Sequence, residues 1–222
     1  MELSNPLVPD QILAAKRLHD GLDQWQATDR ALVALAEKFP GFEPEATLLK
    51  VVAVNALYGT NLYATARMAS HAQKTIHNTG LKNARAKFVE CLARLPETRI
   101  GKQARRHYSF ASKFAHFFID KDRFPIMDAY AENMLRFHLG ASNTKKDPDN
   151  RYVAFVHNFR KLGRLALLQG TTRELDHYLW LAGLYRKWRK NRDMRINVEV
   201  RQLFSGAAGQ TEKDLKALLA MN

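Results

Sequence analysis

Apolar residues recur at the three- and four-residue spacing of an α-helix along almost the whole chain. The strict alternation of polar and apolar residues that marks a half-buried β-strand is almost absent. No composition shift marks a linker, and 222 residues are enough to bury a substantial core. The sequence therefore predicts an all-α fold, a compact helical bundle in which residues 1–222 form a single unit.

Several predicted helices matter for function because charged or aromatic residues gather at their ends. Proline, glycine and capping residues at the ends of the periodic segments set the predicted limits. The segments are a helix over 82–95, a second over 102–118, an extended entry over 124–127, a helix from 128 to 140, and two C-terminal helices over 152–169 and 172–190.

The charge balance predicts a polyanionic partner. The chain has 35 Lys and Arg against 22 Asp and Glu, a formal net charge of +13 and a pI near 10.0. Cations that neutralise phosphates release counterions, and this release drives sequence-independent binding to nucleic acid. Charge alone does not name a partner, because it can also serve solubility. We expect double-stranded DNA.

Cysteine and histidine usage argues against a bound metal or cofactor. Cys91 is the only cysteine, so neither an intrachain disulfide, a four-cysteine iron–sulfur cluster nor a cysteine zinc site can form. No pair of histidines has the spacing of a zinc-binding helix. The N-terminus lacks the apolar core of a signal peptide, and no apolar stretch reaches the ~18–20 residues that span a bilayer. We expect a cytoplasmic, nucleoid-associated monomer without cofactor, metal or membrane contact.

The segment over 95–104 joins the two predicted helices of a hairpin, 82–118. Leu95-Pro96 ends the first helix, and a turn containing Gly101 leads to a second helix that would begin at Lys102. Exposed N–H groups at such a helix N-terminus can bind a phosphate. An ordinary helix connection is the alternative. The phosphate-binding candidates here are Arg94, Arg99, Gly101, Arg105 and Arg106.

Asp128 stands where the apolar segment 124–127 enters the helix over 128–140. As an N-cap it would stabilise that helix by ~1 kcal/mol, which is the purely structural interpretation. Held there and ionised, the same carboxylate can stabilise an oxocarbenium-like cation or activate a water at a glycosidic carbon. The two roles are compatible, so Asp128 is a candidate catalytic residue.

The order of these features resembles the helix-hairpin-helix DNA glycosylases: a helix, Leu95-Pro96, a turn with Gly101, a helix from Lys102, and an apolar entry to Asp128. Segments 110–114 and 124–128 resemble a bacterial branch with an 8-oxoguanine-glycosylase-like fold, and 175–180 resembles its closing helix. The resemblance implies that Asp128 assists cleavage. Lys102 matches the lysine that attacks the sugar in some members, and Lys113 lies three turns further on. If neither reaches a sugar, water is the nucleophile.

A glycosylase holds its flipped base between aromatic faces and reads its edge with polar groups. Helical spacing is also what core residues show, so each aromatic has packing as its alternative. The segment 51–61 resembles the superfamily's early helix and the loop that probes the opened base pair. The base-pocket candidates are Asn55, Tyr58, Asn61, Ser112, His116 and Trp180, and Tyr63, Tyr108, Phe117 and Tyr130 are further possible faces.

The C-terminal basic helices, 152–192, end in a run of cations interleaved with Tyr185 and Trp188. Cations at a helix C-terminus also suit its dipole, which explains some of this run. Their number favours DNA contact, with Trp188 stacking or packing. The phosphate-binding candidates are Arg186, Lys187, Arg189 and Lys190.

The resemblance implies a choice between two substrates. Similar small bacterial glycosylases excise glucosylated hydroxymethylcytosine from phage DNA as a defence, and this is the favoured expectation. Repair of 8-oxoguanine and other oxidised bases is the alternative. From other classes, a non-catalytic helix-hairpin-helix module that binds DNA or RNA, or a basic adaptor for acidic proteins, would use the same charge without Asp128 chemistry.

Overall fold

The structure is a computed structural model and describes residues 2–96, 105–167 and 170–219. Within these residues all regular structure is helical apart from one isolated bridge between Arg94 and Arg106. The all-α prediction is confirmed. The described part of the chain contains no helix suited to spanning a membrane.

The helices follow one another as α1 Pro9–Asp20, α2 Asp23–Lys38, α3 Pro44–Tyr58, α4 Thr65–Thr79, α5 Ala86–Ala93, α6 Tyr108–Phe118, α7 Ala129–Leu139, α8 Arg151–Leu165, α9 Thr172–Lys190, α10 Val198–Ser205 and α11 Gly209–Leu218. By internal contacts the chain divides into two compact units. Unit 1 comprises residues 1–27, 128–145 and 157–222, and unit 2 comprises 28–127 and 146–156. That the chain acts as a single glycosylase-like unit stays a prediction.

The hairpin region differs from its predicted helices. The first helix, predicted over 82–95, is the shorter α5, preceded by a 3-10 turn at Leu81–Asn83. The second was predicted to begin at Lys102, but residues 105–107 are not helical and α6 begins at Tyr108. Residues 97–104 lie outside the described part of the chain, so the helix-hairpin-helix motif itself stays a prediction.

Unit 2 is built on aromatic packing around α6. The α6 helix packs against α3 and α5, and α4 packs against both of those helices. Phe88, Phe110, Phe114 and Phe124 are almost completely buried and form its centre. Burying a side chain of this size stabilises the folded state by ~1.5–3 kcal/mol. The periodic apolar residues of α5 and α6 are therefore core residues.

Glu90 is a buried carboxylate on the apolar face of α5. It accepts hydrogen bonds from the Tyr108 hydroxyl at 2.8 Å and from the backbone N–H groups of Tyr152 and Val153 in the first turn of α8. A negative charge suits a helix N-terminus. One buried acid thus ties together α5, the first residue of α6 and the start of α8.

In unit 1, α9 packs against α1, α7 and α11, and the predicted limits of α9, 172–190, are confirmed. His138 in α7 bonds the Tyr178 hydroxyl of α9 at 2.8 Å. Arg17 in α1 pairs with Asp214 in α11 through two hydrogen bonds of 2.6 and 3.0 Å. Helix α10 was not predicted, because the tail after residue 190 is mixed in composition.

The contact between α7 and α9 depends on Gly183. A Cβ atom added there would lie 2.7 Å from the Tyr130 carbonyl oxygen and 2.9 Å from the Tyr130 Cβ. We expect Gly183→Ala to lower the free energy of unfolding by about 1–3 kcal/mol, because the two helices must move apart. Urea denaturation measures this change.

Gly163→Ala in α8 is the matched control. Its Cβ would meet only the Leu175 Cδ2 atom, at 3.9 Å. The alanine should raise stability by roughly 0.5–1 kcal/mol, as in other helix interiors. Equal stability changes at the two glycines would contradict the close approach at Gly183.

Candidate active site

Asp128 caps α7 with one of its two carboxylate oxygens. Its Oδ1 atom accepts hydrogen bonds from the backbone N–H groups of Tyr130 and Ala131, both at 2.9 Å. The Oδ2 atom accepts none from the residues that the structure describes, and the side chain is half-buried. The two bonds satisfy backbone N–H groups that the first turn of a helix leaves without an intrahelical acceptor. The carboxylate is thus fixed in orientation and keeps one oxygen available.

The extended segment Phe124–Met127, which leads into Asp128, is held by side chains of unit 2. Ser112 Oγ accepts the Met127 N–H at 3.0 Å, and His116 Nδ1 donates to the Phe124 carbonyl at 2.9 Å. These two residues are one helical turn apart on α6. The Tyr152 hydroxyl donates to the Pro125 carbonyl at 2.8 Å. Three hydrogen bonds therefore replace the helical ones that this segment lacks.

Ser112 and His116 are thus both buried and bonded to backbone. Contact of these two side chains with a base stays a prediction. Burial lowers the pKa of His116 to about 4, more than the favourable bond to the Phe124 carbonyl raises it. The imidazole is therefore neutral near pH 7.

Lys113 and Tyr58 are brought together within unit 2. The Lys113 amine donates to Ser109 Oγ at 2.8 Å and lies 5.3 Å from the centre of the Tyr58 ring. The Tyr58 hydroxyl donates to the Asp29 carboxylate. Lys113 is almost fully buried against an aromatic face, which sequence reasoning did not predict. Lys102, the other candidate lysine, lies outside the described residues.

Asn55 organises the loop that follows α3. Its Oδ1 accepts hydrogen bonds from Thr60 Oγ1 and from the Leu62 N–H, and its Nδ2 donates to the Leu62 carbonyl, at 2.9 to 3.0 Å. Gly59 and Asn61 both adopt positive φ, which tightens the turn. Asn61 is exposed. Base contact by Asn55 and Asn61 stays a prediction.

The same loop presents Tyr63 to solvent. Leu62 is buried and anchors the loop, whereas the Tyr63 side chain is 89% exposed. Sequence reasoning could not rank Tyr63 above the other aromatics, because a loop carries no periodicity. Its exposure, unusual for so large an aromatic, makes it the aromatic side chain most accessible to a ligand.

Trp180, the remaining base-pocket candidate, belongs to unit 1. Its indole stacks on Trp25, with ring centres 4.5 Å apart and an interplanar angle of 18°. One face of Trp180 is therefore already occupied. Stacking against a base stays a prediction.

Two arginines of the hairpin, Arg94 and Arg106, lie close together in unit 2. Arg94 and Arg106 form an antiparallel backbone bridge, and both donate to the Asp149 carbonyl. Arg106 also donates to the Tyr108 hydroxyl at 3.0 Å, which connects it to the Glu90 network. Both are exposed, as is Arg105. Arg99 and Gly101 lie outside the described residues.

The C-terminal run of α9 divides into buried and exposed positions. Trp188 is buried and packs against Phe204, so it is a core residue. The Arg186 guanidinium lies 4.0 Å from the centre of the Phe137 ring, and the Lys187 amine lies 5.6 Å from that of Tyr130. Arg186, Arg189 and Lys190 line a shallow depression with Phe137 and Leu219.

Comparison with known proteins assigns the chain to a family. The family model HI_0787_N, described as an N-terminal domain, matches residues 11–123. The chain belongs to the HI_0787_N family. The matched residues include Asn55, Lys113 and the arginines of the hairpin, and they end before Asp128.

A Haemophilus influenzae protein, described as an uncharacterized protein, is 30% identical to the chain over 139 residues. The alignment covers 58% of this chain and 62% of the relative, which is less than two thirds of its length. No solved structure matches.

Substitutions at Asp128 can separate its role as the cap of α7 from a catalytic role. Asp128→Ala removes the acceptor of both α7 N–H bonds and should lower the free energy of unfolding by about 1 kcal/mol. Asp128→Asn keeps a cap acceptor and should cost no more than about 0.5 kcal/mol. Chemical denaturation of the two variants decides this, and an equal loss in both would contradict the capping role.

The burial of His116 predicts a pH dependence of stability. Between its ordinary pKa of 6.5 and about 4, the unfolded chain binds a proton on this imidazole that the folded chain does not. The free energy of unfolding contributed by His116 is therefore lost as the pH falls through that window. We expect wild-type stability to approach that of His116→Gln between pH 6.5 and 4 in urea titrations. If the stability difference between wild type and His116→Gln instead widened as the pH fell, the predicted direction of the pH dependence would be wrong.

Proposed function

We propose that the chain is a DNA glycosylase that flips a modified base out of the duplex and cleaves its N-glycosidic bond. The observation that carries the proposal is the geometry of Asp128. One carboxylate oxygen is fixed by two N–H groups of α7, and the other has no partner among the described residues. The resemblance to helix-hairpin-helix glycosylases and the net charge of +13 support the same function.

In the proposed reaction the bond between the base nitrogen and the sugar C1′ breaks, and the base leaves with the bonding electrons. The ionised Asp128 stabilises the positive charge that develops on the sugar, because its free oxygen is negative and already oriented. A water then adds its oxygen to C1′ and gives a proton to Asp128. Transfer of this proton to the departed base anion, directly or through solvent, leaves the base neutral and regenerates the carboxylate. The products are the free base and an abasic site.

Lysine attack on C1′ is the other mechanism within this proposal. Of the two candidate lysines, Lys113 is the one that the structure describes. Its amine lies against Ser109 and the Tyr58 ring, and the side chain is almost fully buried. Attack requires the neutral, nucleophilic form of the amine. Lys102 remains a candidate on the resemblance alone. Attack by either lysine would form a covalent imine and lead to strand cleavage.

The favoured substrate is glucosylated hydroxymethylcytosine in phage DNA, and the alternative is 8-oxoguanine or another oxidised base. This preference comes from the resemblance. Extrusion of any base requires an aromatic group to stack on or to fill the gap left in the duplex. Tyr63 supports the proposal, because it is exposed at the tip of an ordered loop whose tight turn Asn55 holds.

A non-catalytic module that binds DNA or RNA through the hairpin is the second candidate. The convergence of Arg94 and Arg106 on the Asp149 carbonyl favours it, because this pair offers charge to a phosphate without any contribution from Asp128. The two candidates differ in what Asp128→Asn does.

Excision assays with wild-type protein and Asp128→Asn test the proposal. The substrates are duplexes carrying 8-oxoguanine, and phage DNA with and without glucosylated hydroxymethylcytosine. We expect abasic sites on one substrate, and a loss of about 100-fold or more in rate for Asp128→Asn with DNA affinity unchanged. Asp122→Asn, an exposed acid before the same segment, is the matched control and should retain the rate.

The products also identify the nucleophile. Strand breaks without alkali indicate a lysine, and breaks that require alkali indicate water. Absence of abasic sites on every substrate, together with tight salt-sensitive binding, would exclude the glycosylase and leave the binding module.

A further inference from the structure

Residues 46–89 contain no aspartate or glutamate, although the whole chain has 22. The same stretch carries six Lys and Arg, of which only Lys50 is buried. A solvated helical surface ordinarily mixes both signs of charge. Two of these exposed cations, Arg67 and Lys74, lie on helix α4 in unit 2.

Helix α4, in the middle of this stretch, presents four polar residues at the spacing of one helical face. Arg67, Ser70, His71 and Lys74 follow one another at intervals of three, one and three residues, and we call them the α4 stripe. Arg67, Ser70 and Lys74 are exposed, and His71 is half-buried. The opposite face of α4, with Met68 and Ala72, is buried in unit 2.

The α4 stripe forms one wall of an open groove of about 420 Å³, and Leu95 and Pro96 form part of the rest. Two hydrogen bonds hold the groove together. Arg67 donates to the Pro96 carbonyl, and His71 Nε2 bonds the Cys91 carbonyl at 3.0 Å. These bonds connect α4 to Pro96 and to the end of α5 within unit 2.

No acid neutralises the stripe among the described residues. Arg67 contacts a carbonyl and retains most of its guanidinium donors, and Lys74 makes no ion pair there. Unit 2 also places the stripe beside the end of α5, which Arg94 directly follows. A linear polyanion that contacts Arg94 and Arg106 could continue along the α4 stripe, which itself contains no acidic residue.

We propose that the α4 stripe binds the phosphodiester backbone of duplex DNA, as a contact additional to the hairpin arginines. The choice of DNA as the polyanion rests on the proposed function. Arg67 and Lys74 supply the charge, and Ser70 and His71 supply neutral hydrogen bonds to phosphate oxygens. The contact positions the duplex and reads no sequence.

The test measures the affinity of an unmodified duplex for full-length protein by fluorescence anisotropy between about 50 and 200 mM salt. Each phosphate contact contributes about 0.9 to the slope of log affinity against log salt. We expect Arg67→Gln/Lys74→Gln to lower this slope by about two and the affinity at least tenfold. Ser70→Glu, which removes no cation and places a negative charge in the stripe, should weaken binding as well.

Lys38→Gln/Lys121→Gln is the matched control, because it removes the same charge from positions with neighbouring acids. Glu37 precedes Lys38, and Lys121 stands between Asp120 and Asp122. This control should keep the wild-type slope.

A steep slope in wild type that is unchanged in both stripe variants would overturn the α4 assignment and leave DNA as the partner. An equal loss in the control would also overturn it, because net charge would then explain the effect. Weak, salt-insensitive binding by the wild type would overturn both the stripe and the DNA partner. None of these results depends on excision. The binding assay can therefore reject the stripe contact while excision supports the glycosylase, and it can support the stripe contact while excision rejects the glycosylase.

Discussion

The interior of unit 2 depends on how a short non-helical segment satisfies its backbone hydrogen bonds. Phe124–Met127 lies between α6 and α7 with Phe124 and Met127 fully buried. Buried backbone groups without partners cost stability, and this segment belongs to no helix or sheet. Ser112 and His116 on α6 and Tyr152 on α8 supply the missing partners. The residue that directly follows this segment in the chain is Asp128.

A second network of hydrogen bonds satisfies buried polar groups at the N-terminal end of α6. Glu90 is buried, yet both of its oxygens are used, one by Tyr108 and the other by the first turn of α8. Arg106 joins the network through Tyr108 and bridges to Arg94. Buried polar networks that are fully satisfied specify one arrangement of helices. In unit 2 this network holds the two described ends of the hairpin together.

Charge acts on a longer scale than these contacts. The excess of cations is distributed over the hairpin, the end of α9 and the acid-free stretch over 46–89. Cations in such excess attract polyanions in general, and this attraction weakens as salt rises. Asp128 is an acidic residue that caps the N-terminus of α7.

The sequence alone determined the all-α class, the limits of α9 and the cap at Asp128, because helical periodicity and capping are properties of neighbouring residues. It also determined the basic character of the chain. Tertiary structure decided that Ser112 and His116 bond the backbone, that Trp188 packs, and that Lys113 faces Tyr58. It also decided that α6 begins at Tyr108, with Glu90 as partner of that first residue. These outcomes depend on residues far apart in the chain, whose proximity no local pattern specifies.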